Sequence, residues 1–379
     1  MSRICFFSGD ITRNGGTERV SVMIANELVK DPGYEILILS LVEQKEKPFY
    51  EIDDRIKRFA LGNRWLTPGP EYLPLIPKLR SFLKQREIDI IIDIDIVLDV
   101  LSFPASRGRK TKVISWEHSN LGFELSQGYR RWILKLFTKR TDWIVTLTPG
   151  DAKAFCTEMN RQERISAIFN PIERLGQRSD GGDNSSGGEP VRALASFDER
   201  ENAIVTVARL VPVKGFDLLV RVAEKVLTVY PDWKWYLCGE GPERTMLEEF
   251  CKGSGLQEQL ILCGMVPRVE DYLCRAKLFV LTSRSEGLPM CLLEARSMGV
   301  PCVSFDIPTG PADMIEDGVN GYLIDAFDVE KMAGKIKSLI SDPARLAEMG
   351  KKASEQLEPF GMERVIGQWK KLLGGLLEK

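Results

Sequence analysis

Short, nearly continuous apolar runs alternate along the chain with longer stretches in which apolar residues recur every three to four positions, and the pattern occurs twice. Runs such as RICFFSGD, EILILSLV and EIDIIIDID are too apolar to be half-solvated strands, whereas residues 17–30 place Val20, Ile24 and Leu28 at helical spacing with Thr17 as the expected cap. Strands separated by helices cannot be joined by hairpins. They pair in parallel, with helices packed on both faces of the sheet. The expected fold class is α/β, built as two parallel sheets.

The first sheet takes in KVISWEH, WIVTLT and RISAIFNP, with helices over 121–139 and 151–159. Residues 174–202 are rich in Gly, Ser and Asp and carry no apolar period, the composition of a flexible connection. A second series follows: AIVTVARL, WKWYLCGEG, LILCGMV, LFVLTS and CVSFD, with helices between. With 379 residues, the expected division is a first domain over 1–172, a linker over 173–202, a second domain over 203–358 and a terminal helical segment over 359–379.

Composition removes several classes of function. Lys plus Arg is 52 against 54 for Asp plus Glu, so no global basic field points to nucleic acid. The first 170 residues are net +4 and the remainder net −6, which suits the first half to anionic surfaces. The most apolar region, IIIDIDIVLDVL, is broken by Asp93, Asp95 and Asp99, so no membrane-spanning segment is expected. The start enters a strand directly, which predicts no secretory leader, and the eight cysteines form no C-x-x-C pair, which predicts reduced thiols in a cytoplasmic protein. A single histidine, His118, excludes a histidine-rich metal site.

Candidate site residues gather where strands end. Gly15 and Gly16 lie between the first strand and helix, as Gly239 and Gly241 do in CGEGPE; each pair is either a tight turn or a place where backbone approaches a ligand. Arg209 and Lys214 stand five residues apart on a strand-to-helix loop, where two cations can grip a diphosphate. Glu286 and Glu294 are eight residues apart in SEGLPMCLLEARS, one in a loop and one inside a helix whose amides start near Gly287 and form an anion site. Glu294 is expected two turns into that helix. His118 closes a strand and is read either as a packed core residue or as a site residue. Asp93 and Asp95 form a D-x-D that would put both carboxylates on one face of a strand; the structural reading is preferred to metal binding.

VARLVPVKGFDLL, CGEGPE, LCGMV, LTSRSEGLPMCLLEARSMGVPCVSFDIPTGP and DGVNGYLI together resemble the retaining, nucleotide-sugar-dependent glycosyltransferases of family 4. The resemblance covers essentially the whole chain. It implies two Rossmann-like domains facing a central cleft (the GT-B type), with the terminal helix and Trp369 returning to the first. It assigns Arg209 and Lys214 to the diphosphate, Glu294 to the ribose, and Glu286 with Gly287, Leu288 and Pro289 to the donor sugar and phosphate. Met265 and Val266 fall near the base, Gly239 and Gly310 beside the donor, Gly15 and Gly16 over the phosphates, His118 near the sugar and Asn170 at the edge of the first domain.

The chemistry implied is transfer with retention and without a metal or other cofactor, the UDP-sugar being a co-substrate. Thr309-Gly310-Pro311 stands where many members have Gly-Gly, and Pro311 offers no amide to a sugar hydroxyl. Such variants resemble enzymes that build surface polysaccharide from UDP-hexose or UDP-N-acetylhexosamine. The stretch YRRWILKLFTKR, with Arg130, Arg131, Lys135, Lys139 and Arg140 among apolar residues, suits a polyprenyl-diphosphate-linked or glycan acceptor at the inner, anionic face of a membrane, or else a packed helix with a solvated side. A nucleotide-sugar epimerase of the same fold and an inactive two-lobed binding partner are the alternatives.

Overall fold

Nearly every apolar run becomes a buried parallel strand in the computed structural model, which describes residues 1–64, 70–172 and 196–378. The chain divides into two units, Met1–Pro171 with Pro359–Lys379, and Ile172–Glu358.

The first unit opens with β1 (Ser2–Ser8), α1 (Gly16–Leu28), β2 (Tyr34–Ser40), β3 (Lys57–Ala60), α2 (Leu75–Gln85) and β4 (Ile90–Ile94). It continues through α3 (Asp99–Ser106), β5 (Lys112–Trp116), α4 (Leu121–Ser126), α5 (Gly128–Leu136), β6 (Trp143–Thr146), α6 (Pro149–Met159) and β7 (Ile165–Ala167). Its strands pair in parallel in the order β3-β2-β1-β4-β5-β6-β7. Ile4, Cys5, Phe6 and Phe7 of β1 have no solvent exposure, as expected of a central strand covered on both faces.

The second unit contains β8 (Ala203–Val207), α7 (Phe216–Leu227), β9 (Lys234–Cys238), α8 (Arg244–Ser254), β10 (Leu260–Gly264), α9 (Glu270–Leu273) and β11 (Leu278–Leu281). Then come α10 (Met290–Ser297), β12 (Cys302–Asp306), α11 (Pro311–Met314), β13 (Gly321–Asp325), α12 (Val329–Ile340) and α13 (Pro343–Ser354). The order is β10-β9-β8-β11-β12-β13, again parallel. In both sheets the winding reverses beside the first strand, between β1 and β4 and between β8 and β11. Loops that leave adjacent strands in opposite directions open a crevice there.

The last helix, α14 (Met362–Leu377), belongs to the first unit. Its Trp369 is fully buried and packs edge-on against Trp116, ring centroids 4.9 Å apart, while Lys370 pairs with Asp31 at 2.6 Å.

Three local expectations change. Thr17 does not cap α1: the helix begins at Gly16 with Gly15 as its cap residue, and no side chain makes the capping bond. The single helix expected over 121–139 is two helices, because Gln127 is extended (φ −97°, ψ 112°). The break turns Arg130 of α5 inward against Glu124 of α4, at 2.7 Å. Residues 173–195 of the expected linker lie outside the described residues. Residues 196–202 are pinned rather than free, since the Arg200 guanidinium donates to the carbonyls of Ala276, Met298 and Gly299.

Replacing Trp369 with Ala should remove the aromatic support of Trp116 and destabilise the first unit by about 3–5 kcal/mol, read as an earlier transition in urea denaturation followed by tryptophan fluorescence.

Candidate functional site

In the second unit the crevice loops come from β8 and β11, neighbours in the sheet. The loop after β8 carries Arg209 and closes in a short 3-10 turn, Pro212–Lys214, before Gly215 caps α7 in the left-handed region (φ 67°). A β-carbon at Gly215 would strike the carbonyl oxygen of Thr282, so only glycine lets this turn lie against the end of β11. The contact is tied from the other side. Thr282 donates its hydroxyl to the Lys214 carbonyl (3.1 Å), the Arg284 amide donates to the Val213 carbonyl (2.8 Å), and the Arg284 guanidinium grips Asp217 at 2.8 and 2.6 Å. This clamp brings Lys214 Nζ to 2.6 Å from Glu286 Oε1, with both side chains largely shielded from water.

Glu286 is itself held by the turn after β12. Thr309 donates to its carbonyl at 2.6 Å, and Gly310 (φ 97°) packs so closely on Pro289 and Gly287 that a β-carbon would lie 2.7 Å from Pro289 Cδ. The Gly310 amide donates to Asp313 at 3.2 Å. Helix α10 starts at Met290 after the cap residue Pro289, which has no N–H, so its free amides begin later than Gly287 and Leu288. Glu294, buried, is the fifth residue of α10 and therefore little more than one turn in, not two. Arg209 is exposed and pairs with no carboxylate among the described residues. Met265 is exposed and Val266 half-buried just beyond β10. Gly239 (φ 153°) lies where a β-carbon would collide with the Ala208 carbonyl, so its lack of a side chain serves backbone packing at the strand ends.

In the first unit Gly16 faces open space, whereas the carboxylate of Glu18 lies against Gly15. His118 follows β5 with its ring 4.3 Å from Trp116, and its Nε2 is buried with no hydrogen-bond partner. Burial pushes its pKa down to about 3, so the imidazole is neutral at physiological pH. Asn170 is buried, its Oδ1 likewise without a partner.

The D-x-D carboxylates diverge. Asp93, fully buried in β4, accepts from Ser102 and shares a hydrogen bond with Asp99; burial and that neighbour hold its pKa far above the carboxylate range. Asp95 lies past the strand end at φ 98°, accepts from the Val97 amide and pairs with Arg130 at 2.7 Å. Among the described residues no three His, Cys, Asp or Glu side chains gather as a metal set.

Two family models divide the sequence between them, Glycosyltransferase Family 4 over residues 14–174 and Glycosyl transferases group 1 over 191–356. An uncharacterised glycosyltransferase of Haemophilus influenzae is 30% identical over 98% of this chain and 100% of its own. This chain belongs to the glycosyltransferases. A Campylobacter jejuni relative, GalNAc-alpha-(1->4)-GalNAc-alpha-(1->3)-diNAcBac-PP-undecaprenol alpha-1,4-N-acetyl-D-galactosaminyltransferase, is 25% identical over 98% of each chain. Among solved structures, Anabaena HepE in complex with UDP superposes with a TM-score of 0.78 at 17% identity, over 99% of this chain and 100% of that one. The glycosyltransferase thus has the GT-B pair of Rossmann-like domains.

Sequence reasoning missed three parts of this glycosyltransferase's sites. Arg284 and Thr309 both stand inside the quoted motifs, Thr309 in the Thr-Gly-Pro turn, yet neither was assigned a bracing role. The support of His118 by Trp116 and Trp369 had no signal, since it joins residues 253 positions apart.

With one histidine in the glycosyltransferase, its NMR titration is unambiguous. The imidazole resonances should stay neutral to well below pH 5, with a midpoint near 3. Because the folded pKa lies below the unfolded value of 6.5, the unfolded chain binds more protons in that window. His118 therefore adds stability above 6.5 that is lost as pH falls toward 3.

Proposed function

We propose that this glycosyltransferase transfers a hexosyl or N-acetylhexosaminyl unit from a UDP-sugar, with retention, to a glycan or polyprenyl-diphosphate-linked acceptor in surface polysaccharide biosynthesis. The observation that carries the reading is the Lys214–Glu286 pair, held at 2.6 Å in the crevice of the second unit. A cation kept in place by a carboxylate is preorganised for a diphosphate: it meets the charge that develops on the leaving group without having to be recruited from solvent. Exposed Arg209 supplies the second positive charge. Glu286 and Glu294 then serve as acceptors for donor hydroxyls, with Met265 and Val266 against the base.

During transfer the bond from the acceptor oxygen to the anomeric carbon forms as the bond from that carbon to the diphosphate oxygen breaks. The acceptor proton passes to the departing diphosphate on the same face. Within the first unit, neutral His118 can bond a sugar hydroxyl without carrying charge, and Asn170 and the Gly15-Gly16 turn are its further candidate ligand contacts. A divalent cation is not required in this scheme because Lys214 and Arg209 take its role, while Asp95 is engaged by Arg130 and Asp93 by Ser102 and Asp99. The UDP complex of HepE and the undecaprenol-linked substrate in the Campylobacter enzyme's name support the donor and acceptor classes.

UDP should raise the melting temperature with EDTA present, and Lys214→Ala or Glu286→Gln should lower turnover about 10²-fold or more, with losses that do not add in the double variant. Stabilisation by UDP only with Mn²⁺ would refute the metal-free scheme, and unchanged turnover in both variants would refute the assigned roles.

The membrane part of the proposal rests on α5. Arg130 is withdrawn into its pair with Glu124 and Asp95, but Tyr129, Trp132 and Leu136 are 51%, 53% and 40% exposed beside exposed Arg131, Lys135, Lys139 and Arg140. Aromatic and basic side chains on one short helix suit an anionic headgroup layer. No helix among the described residues is long and apolar enough to cross a membrane. Sedimentation with phosphatidylglycerol vesicles should fall several-fold in Trp132→Ser/Lys135→Glu, and neutral vesicles should not bind the parent chain.

A further inference from the structure

The β9–β10 edge of the second sheet brings two thiols together that the transfer reaction does not use. Cys238 ends β9 and is buried; Cys263 lies in β10, the edge strand, and is half-exposed. The register slips between Leu262 and Gly264, so Cys238 pairs with Gly264 and Cys263 is the bulged residue beside it. Adjacent strands lie about 4.8 Å apart, inside the span a disulfide bridges.

The surroundings of Cys263 differ from those of the other cysteines. The Cys238 and Tyr272 side chains act on the Cys263 sulfur, whose thiol donates to the Ile261 carbonyl at 3.6 Å. The Arg275 guanidinium, stacked 5.3 Å from the Tyr272 ring centroid and 5.8 Å from that of Tyr236, adds positive charge. These contacts hold the Cys263 thiol below the ordinary thiol range, whereas Cys238 is pushed up by Cys263 and by burial, and burial likewise raises Cys5, Cys251, Cys274, Cys291 and Cys302. Low thiolate cost, solvent access and an adjacent second thiol are the requirements for reversible oxidation.

We propose that Cys263 and Cys238 form a hydroperoxide-responsive dithiol that closes to an intrachain disulfide across β9 and β10. The Cys263 thiolate attacks a peroxide oxygen, the O–O bond breaks, and the departing oxide is protonated to water or alcohol, leaving Cys263 as a sulfenic acid. The Cys238 sulfur then attacks the Cys263 sulfur, the S–O bond breaks, and hydroxide leaves as water with the Cys238 proton. The pair loses two electrons and the peroxide gains them. Closure ties the strand ends that carry Gly239 and Met265, whose amide and neighbouring carbonyl already meet where Gly239 donates to Gly264 at 2.8 Å. Any effect on donor binding rests on the function proposed above, whereas the covalent chemistry does not.

The test is to treat the full chain with a small excess of hydrogen peroxide and follow intact mass, denatured thiol count and peptide map. The expected result is loss of two hydrogens and two thiols, a cross-linked peptide joining Cys238 and Cys263, and full reversal by dithiothreitol. In Cys238→Ser, Cys263 should instead be trapped as a dimedone adduct, and in Cys263→Ser the Cys238 thiol should survive. Oxidation of Cys156 before Cys263, or conversion of Cys263 to sulfinic acid without the cross-linked peptide in the parent chain, would overturn the proposal, as would no reaction at either residue.

Discussion

A parallel strand cannot return to its neighbour through a tight turn, so each connection must cross a face of the sheet, and most do so as a helix. This constraint organises both units. Where the winding direction reverses, the loops on either side part, and backbone ends that would otherwise be covered remain open. In the second unit the reversal lies between β8 and β11, which is why Lys214, from the loop after β8, meets Glu286, from the loop after β11, although 72 residues separate them.

An open crevice is useful only if its walls do not move. Here the walls are braced by groups that need not touch a ligand. Gly215 allows the Lys214 turn to lie against the Thr282 carbonyl, Arg284 ties the same turn to Asp217, and Thr309 holds the Glu286 backbone from a third strand. Each removes freedom from the segment that carries a long charged side chain, so less conformational entropy would be lost if a ligand bound there. The first unit uses aromatic packing for the same purpose: Trp369 of the terminal helix backs Trp116, and Trp116 backs His118.

The buried charges of the first unit show how sequence motifs can mislead when read as spacing alone. Asp93 and Asp95 would share a strand face if β4 continued, but the strand stops at Ile94 and Asp95 turns to φ 98°. Arg130 belongs by sequence to a basic helical face, yet the break at Gln127 rotates it inward to Glu124 and Asp95. Both changes depend on a backbone angle at one residue, and neither angle is written in hydrophobic periodicity. By contrast the Arg209/Lys214 spacing and the Glu286/Glu294 block were legible, because a strand-to-helix loop fixes where such side chains emerge.

The sequence by itself determined the α/β class, the two successive sheets and the loops on which the charged residues would stand, because apolar period and glycine position act locally and leave a local record. The terminal helix could be read as amphipathic and, from the family resemblance, as returning to the first domain, though the residues it packs on could not. The tertiary structure alone decided that Lys214 closes on Glu286, that Arg284 and Thr309 brace them, that Trp369 lies under Trp116, and that Cys263 stands beside Cys238. The physical reason is common to all four. Each depends on strand order and register, which are set by the packing of distant segments into one core and not by the residues that come into contact.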